Sequence, residues 1–87
     1  MIEVKQISEG EFEVVVEDEG SKTRHVVTLD NSYYERLTQG KITRRELIQR
    51  SFEFLLERES KESILSRFNL DVITRYFPEY EEKMRIE

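Results

Sequence analysis

The chain has 87 residues, 38% of them charged, with a formal net charge of −5 and no cysteine. That length makes a single domain, 1–87, with no room for a second, and the acidic balance is unlike that of a general phosphate or nucleic-acid binder. Neither a disulfide framework nor a thiolate metal site can form, and no apolar run approaches the ~18 residues of a membrane span.

A domain near this size buries only about 60–65% of the surface its unfolded chain exposes, so its core must be efficient. The apolar set suits that need, being rich in Ile, Val, Leu and Phe and lacking Ala and Trp. The opening MIEVKQISEG reads as a charged strand rather than a signal peptide. The expectation is a soluble, cytoplasmic protein. Charge is uneven: residues 1–40 carry four basic and nine acidic side chains, residues 41–67 seven and five, residues 68–87 three and five.

The first 29 residues predict an antiparallel three-stranded meander. Ile2–Gln6 and Phe12–Glu17 both alternate apolar and polar residues, as strands with one buried face do. A three-residue loop, Ser8-Glu9-Gly10 with Gly10 left-handed, sets Val4 opposite Val14, Ile2 opposite Val16 and Lys5 opposite Glu13. A two-residue loop would bring Lys5 beside Val14. For the second hairpin, a four-residue turn, Asp18 to Ser21, pairs Glu17 with Lys22, Val14 with His25 and Phe12 with Val27. The inner face then holds Ile2, Val4, Phe12, Val14, Val16, Val27 and Leu29.

Residues 30–87 predict a helical half. Asp30, Asn31 and Ser32 all suit a helix cap, Ser32 with Glu35 forms an S-x-x-E box, and Gly40 ends the short helix through Tyr33, Tyr34 and Leu37. Ile42–Glu59 reads as one long helix opened by a Thr43/Glu46 capping box, with Ile42 and Leu47 placed as a hydrophobic staple. Leu47, Ser51, Phe54 and Leu55 fall in one quadrant, and Ile48, Phe52 and Leu56 widen the stripe to about half the circumference, beyond the ~100° of an ordinary surface helix. Such breadth needs cover on two sides: a sheet on one, and other helices or a second protomer on the other. Glu46–Arg50 and Glu57–Lys61 have the spacing of helical ion pairs. A further turn or short helix opens at Ser60–Ser63 and carries Ile64, Leu65 and Phe68. Asn69 then stops it, and Asp71 caps another helix bearing Leu70, Val72, Ile73, Tyr76 and Phe77. Pro78 ends or restarts that helix. The tail 79–87, with Tyr80 and Met84 at i,i+4, makes a last docked turn or frays.

Chemistry is hard to place. The one histidine, His25, lacks a nucleophile and metal-ligand companions, so it reads as structural. The abundant carboxylates fall in loops and tails, and the three glycines are isolated turn residues rather than a phosphate cradle. No enzyme activity, cofactor or metal is expected. Two features stand out as candidate interaction residues. Lys41, Arg44 and Arg45 gather at a helix N-terminus, against its dipole. Either Glu35 or the acidic hairpin neutralises them, or they receive an anion or acidic partner. The segment Arg75-Tyr76-Phe77-Pro78-Glu79-Tyr80 supplies either core aromatics or an exposed patch, and Tyr80 fits both readings.

FEFLLERESKESILSRFNLDVITRYFPEY resembles the signature of a family of short prokaryotic proteins with no assigned function. That likeness runs nearly the whole chain and implies no activity. HVVTLDNSYYERLTQGKITRRELIQRSFEFLLER resembles a ribbon-helix-helix DNA-binding unit, which implies a dimer whose paired strands present Arg24, Val26 and Thr28 to the bases. The sequence as a whole predicts an α+β fold, a three-stranded antiparallel meander followed by a helical half packed on one sheet face. Its expected role is a small non-enzymatic module for protein–protein contact or regulation, with a protein partner or self-association as a homodimer. The alternative is a ribbon-helix-helix-like DNA-binding regulator.

Overall fold

A computed structural model describes residues 1–85 of the chain. Its sheet begins with β1 (Ile2–Ser8), β2 (Glu11–Asp18) and β3 (Ser21–Thr28), paired antiparallel in chain order. The register follows the alternation: Ile2 faces Val16, Val4 faces Val14, Lys5 faces Glu13, and across the second hairpin Val14 faces His25 and Phe12 faces Val27. A one-residue slip would turn the valines to solvent, so burial fixes the pairing. Val4, Phe12, Val14, Val16, Val27 and Leu29 are buried on the inner face, with Ile2 partly covered at its edge.

Both turns differ in detail from the expectation. The second is tighter: Asp18 pairs with Ser21, leaving Glu19 and Gly20 at φ 50° and 78°. Two consecutive left-handed residues match the twist of a two-residue hairpin while preserving the register of a four-residue loop. In the first hairpin the register shifts between Gln6 and Ser8, and Gly10 is not left-handed. The bulge absorbs the extra residue. What Gly10 provides instead is close approach, since its carbonyl accepts from Leu29 N–H at 2.9 Å and an added Cβ would meet the Leu29 carbonyl at 3.4 Å.

The sheet has four strands rather than three. β4 (Arg67–Asn69) lies parallel to β3, giving the order β1-β2-β3-β4. Three residues are too few to show a period, and their partner strand lies about forty positions upstream. Between β3 and β4 run α1 (Asn31–Thr38), α2 (Arg44–Leu56) and a single 3₁₀ turn at Lys61–Ser63. A second 3₁₀ turn (Leu70–Val72), α3 (Ile73–Tyr76) and α4 (Tyr80–Met84) follow β4. Residues 86–87 of the expected tail lie outside the described residues.

The capping box of α2 is complete: Thr43 Oγ1 accepts from Glu46 N–H and Glu46 Oε1 accepts from Thr43 N–H, both at 3.0 Å. Ile42 just before it packs against the core. The helix closes at Leu56, short of Glu59, because the N–H groups of Arg58 and Glu59 both turn back to the Leu55 carbonyl. Other caps shift as well. Asp30 holds the cap position of α1, which puts Ser32 inside the helix and leaves the Ser32/Glu35 box unformed, and the helix leaves through left-handed Gln39 and Gly40. Asn69, not Asp71, caps the turn after β4, its side chain accepting from Asp71 N–H.

The broad stripe of α2 is covered within one chain. Leu47, Ile48, Ser51, Phe52, Phe54 and Leu55 are buried. Phe52 lies 5.4 Å from the His25 ring and 6.1 Å from Phe68. On the other flank, Phe54 meets Phe77 and Tyr80 edge-on at 5.9 and 5.3 Å. The stripe therefore gives no reason for a second protomer. The expected ion pairs also rearrange: Glu57 pairs with Arg58, and Lys61 runs under the second hairpin to Asp18 at 2.5 Å and Glu62 at 2.9 Å.

Candidate interaction site

The basic corner does not assemble into an anion site. Arg44 turns back on α1, with its guanidinium 4.4 Å from the Tyr34 ring centre and bonded to the Asn31 side-chain carbonyl. Arg45 borders Glu3, Lys5 and Glu13 of the first hairpin, and Lys41 is exposed in the α1–α2 connection. Among the described residues none of the three is within ion-pair distance of a carboxylate, Glu35 included. The capping box itself occupies N–H groups that an anion would need. Those same bonds hold the Glu46 carboxyl below the usual range.

Tyr80 is a core residue, which corrects its reading as an interaction residue. Its side chain is 0% exposed, and its hydroxyl lies 2.6 Å from Ser51 Oγ. Ser51 donates to the Leu47 carbonyl at 2.7 Å, so the phenol donates to Ser51. Tyr80 sits at the start of α4, opposite the one small polar residue in the α2 stripe, and burial pushes its phenol up. Tyr33 bonds Glu81 at 2.9 Å and Arg36 reaches the same carboxylate at 3.4 Å, so α4 is tied to α1 as well.

His25 is buried and fully bonded. Its Nδ1 lies 2.7 Å from the Leu65 carbonyl and its Nε2 2.9 Å from Thr23 Oγ1. A carbonyl only accepts, so Nδ1 carries a proton and donates it to Leu65. Nδ1 ties β3 to the segment before β4, and Nε2 is occupied within β3 itself. Arg24, Val26 and Thr28 also lie on β3, which takes β2 on one side and β4 on the other. β4 takes the edge of β3 over Val26–Thr28, and Arg24 lies 3.5 Å from Glu13 of β2.

An apolar cleft opens where the end of α2 meets α3. Its floor and walls come from Leu55, Ile64, Phe68, Val72, Ile73 and Phe77, and it encloses about 190 Å³. Leu65 and Tyr76 border it and are 46% and 66% exposed, whereas Ile64 and Ile73 beside them are buried. The hydrogen bond from His25 to the Leu65 carbonyl fixes the wall on which Leu65 stands. Glu59 is the one carboxylate in the lining; burial pushes its carboxyl up, and it has no ion-pair partner among the described residues.

Within the aromatic segment 75–80 the sequence points to Tyr80, which is buried, whereas the exposed aromatic is Tyr76. Tyr76 and Tyr80 are one helical turn apart in number, but a non-helical turn at 77–79 separates α3 from α4 and sends them to opposite environments. Leu65 carried a readable sign: in an extended Ile64-Leu65 pair only one side chain can point inward. Among the described residues no three His, Asp or Glu side chains gather as a metal-ligand set, and no helix is long and apolar enough to cross a membrane. No protein-family model, curated protein or solved structure matches the chain.

Proposed function

We propose that this chain is a small non-enzymatic module that binds another protein through the α2–α3 cleft. The observation that carries the reading is the exposure of Leu65 and Tyr76 at the rim of an apolar cleft. Among the described residues the other exposed large apolar side chains, Met1 and Ile7, lie singly at the N-terminus and near the end of β1. Isolated exposed residues need no explanation, whereas a leucine and a tyrosine around one apolar depression resemble the anchor pocket of a protein interface. The volume also argues for a side chain as occupant, because small-molecule and cofactor sites run to ~300–1,000 Å³.

The test compares three immobilised baits for proteins retained from a lysate: the wild-type chain, Leu65→Ser/Tyr76→Ser, and Lys41→Ala/Arg44→Ala/Arg45→Ala. The expected outcome is a defined partner that the cleft variant loses and the basic-corner variant keeps, with both variants as folded as the wild type. Retention that follows the basic corner, or that ignores both sites, overturns the proposal.

A further inference from the structure

The cleft has an electrostatic polarity as well as an apolar lining, and that polarity restricts what can occupy it. Glu59 stands at one end, where its backbone N–H returns to the Leu55 carbonyl and the chain leaves α2. A helix C-terminus carries partial negative charge on its unpaired carbonyls. The last turn of α2 itself holds no lysine or arginine. Arg58, just beyond, answers the helix end on its α4 side, not on the side of the cleft: its guanidinium lies 3.6 Å over the Phe54 ring and bonds the Phe54 carbonyl and Glu79. Glu59, with no ion-pair partner among the described residues, thus stands alone as the charged group at one side of an apolar depression. Leu65 and Tyr76 form its remaining rim.

We infer that the cleft takes a segment of a partner protein bearing one large apolar side chain with a lysine or arginine one or two positions away. The apolar side chain fills the space over Phe68 and Ile73, and the cation pairs with Glu59 at the C-terminal end of α2. An acidic or purely apolar segment would leave that carboxylate desolvated and unpaired, which disfavours it relative to a cationic one. The inference rests on the binding-module reading, and the same experiment separates the failure of one from the failure of the other.

A random dodecapeptide display library is selected on the immobilised full chain. The recovered peptides are synthesised and titrated against the wild type, Tyr76→Ala, Leu65→Ser and Glu59→Gln. The expected result is a shared apolar-plus-basic motif, a tenfold or greater loss of affinity for Tyr76→Ala, and a roughly five- to tenfold loss for Glu59→Gln. Replacing the peptide's basic residue by norleucine should abolish the difference between wild type and Glu59→Gln. Peptides that depend on Tyr76 but not on Glu59 would overturn the charge preference and leave the module reading standing. Peptides indifferent to Tyr76 and Leu65, or no selection at all, would overturn both. Leu65, Tyr76 and Glu59 lie at the rim, so unfolding does not confound the comparison, and a thermal melt of each variant verifies that.

Discussion

Ser51 and Tyr80 offer a quantitative test of how α4 is held, because the bond between them is asymmetric. Ser51 Oγ meets the Leu47 carbonyl at 2.7 Å, the Tyr80 hydroxyl at 2.6 Å and, weakly, the Met84 sulfur at 3.9 Å, whereas the phenol has Ser51 alone. Tyr80→Phe removes one donor and leaves Ser51 bonded to Leu47, a loss of about 0.5–1.5 kcal/mol. Ser51→Ala strands a buried phenol with no water to turn to, so it should cost about 1–3 kcal/mol, the full desolvation penalty of the group. The smaller chemical change is therefore the more damaging one. In a Tyr80→Phe background nothing remains to be stranded, and Ser51→Ala should cost about 1 kcal/mol less than in the wild type. That coupling exceeds the ~0.3–0.5 kcal/mol within which independent sites add. Urea unfolding followed by far-ultraviolet circular dichroism measures all four corners of the cycle, and each 1 kcal/mol should also appear as about 4–8 °C in Tm. If Ser51→Ala proved milder than Tyr80→Phe, or the two simply added, the directed bond between α2 and α4 would be wrong.

Other perturbations have equally definite signs. Thr43→Ala breaks the capping box and should cost about 1 kcal/mol by urea denaturation. The lowered Glu46 pKa makes its stabilising contribution complete above the unfolded value of ~4.3 and lost as pH falls through the folded one, so Glu46→Gln should flatten the acid limb of a stability–pH profile. Glu59 has the opposite sign. Its raised pKa means the ionised carboxylate opposes folding, so Glu59→Gln should raise the thermal midpoint at neutral pH, and that gain should vanish as pH falls toward ~4.3. At the alkaline end, burial raises Tyr80 and Tyr33, and bonds to Asp18 and Glu62 raise Lys61. Their contributions are complete below the unfolded values of about 10 and 10.4 and are lost as pH rises beyond them. Tyrosinate absorbance should therefore show part of the phenol signal appearing together with unfolding; a profile in which every phenol titrates while the circular dichroism stays native would contradict the burial of Tyr33 and Tyr80.

What could be read from the sequence was whatever a short window decides. Both hairpin registers were legible because each inner-face valine or phenylalanine must avoid solvent, and one slip would expose the whole set. The capping box of α2 and the placement of His25 opposite Val14 were legible on the same local grounds. The misses need contacts across the chain. β4 is three residues long and exists only because β3 offers it an edge. Lys61 was assigned to Glu57 by helical spacing, but α2 had already ended and Asp18, 43 positions away, was nearer. Tyr80 was ambiguous because its fate depends on Ser51, 29 positions upstream, accepting its hydroxyl. At the site level, the segment containing Tyr76 was visible and the cleft was not, since its lining comes from four separated stretches.

The absence of β4 from the sequence reading and the absence of the cleft are one omission. Placing Arg67–Asn69 beside β3 pulls Phe68 inward onto Phe52 and fixes the two segments that flank it. The approach segment is held by His25 bonding the Leu65 carbonyl and by Val26 N–H bonding the Ser66 carbonyl. The departing segment is started by the Asn69 cap, which directs Leu70 and Ile73 into the core. Leu65 and Tyr76 are then left facing each other's side of Phe68, with nothing from α4 to cover them, because Tyr80 and Met84 are committed to Ser51 on the far flank of α2. A chain with this little surface to spare covers the broadest apolar stripe it has and leaves open a depression whose rim is rigidly placed. Rigid placement is what an anchor pocket needs, since little ordering free energy is then lost on binding. On the proposed reading, a partner side chain fills this depression.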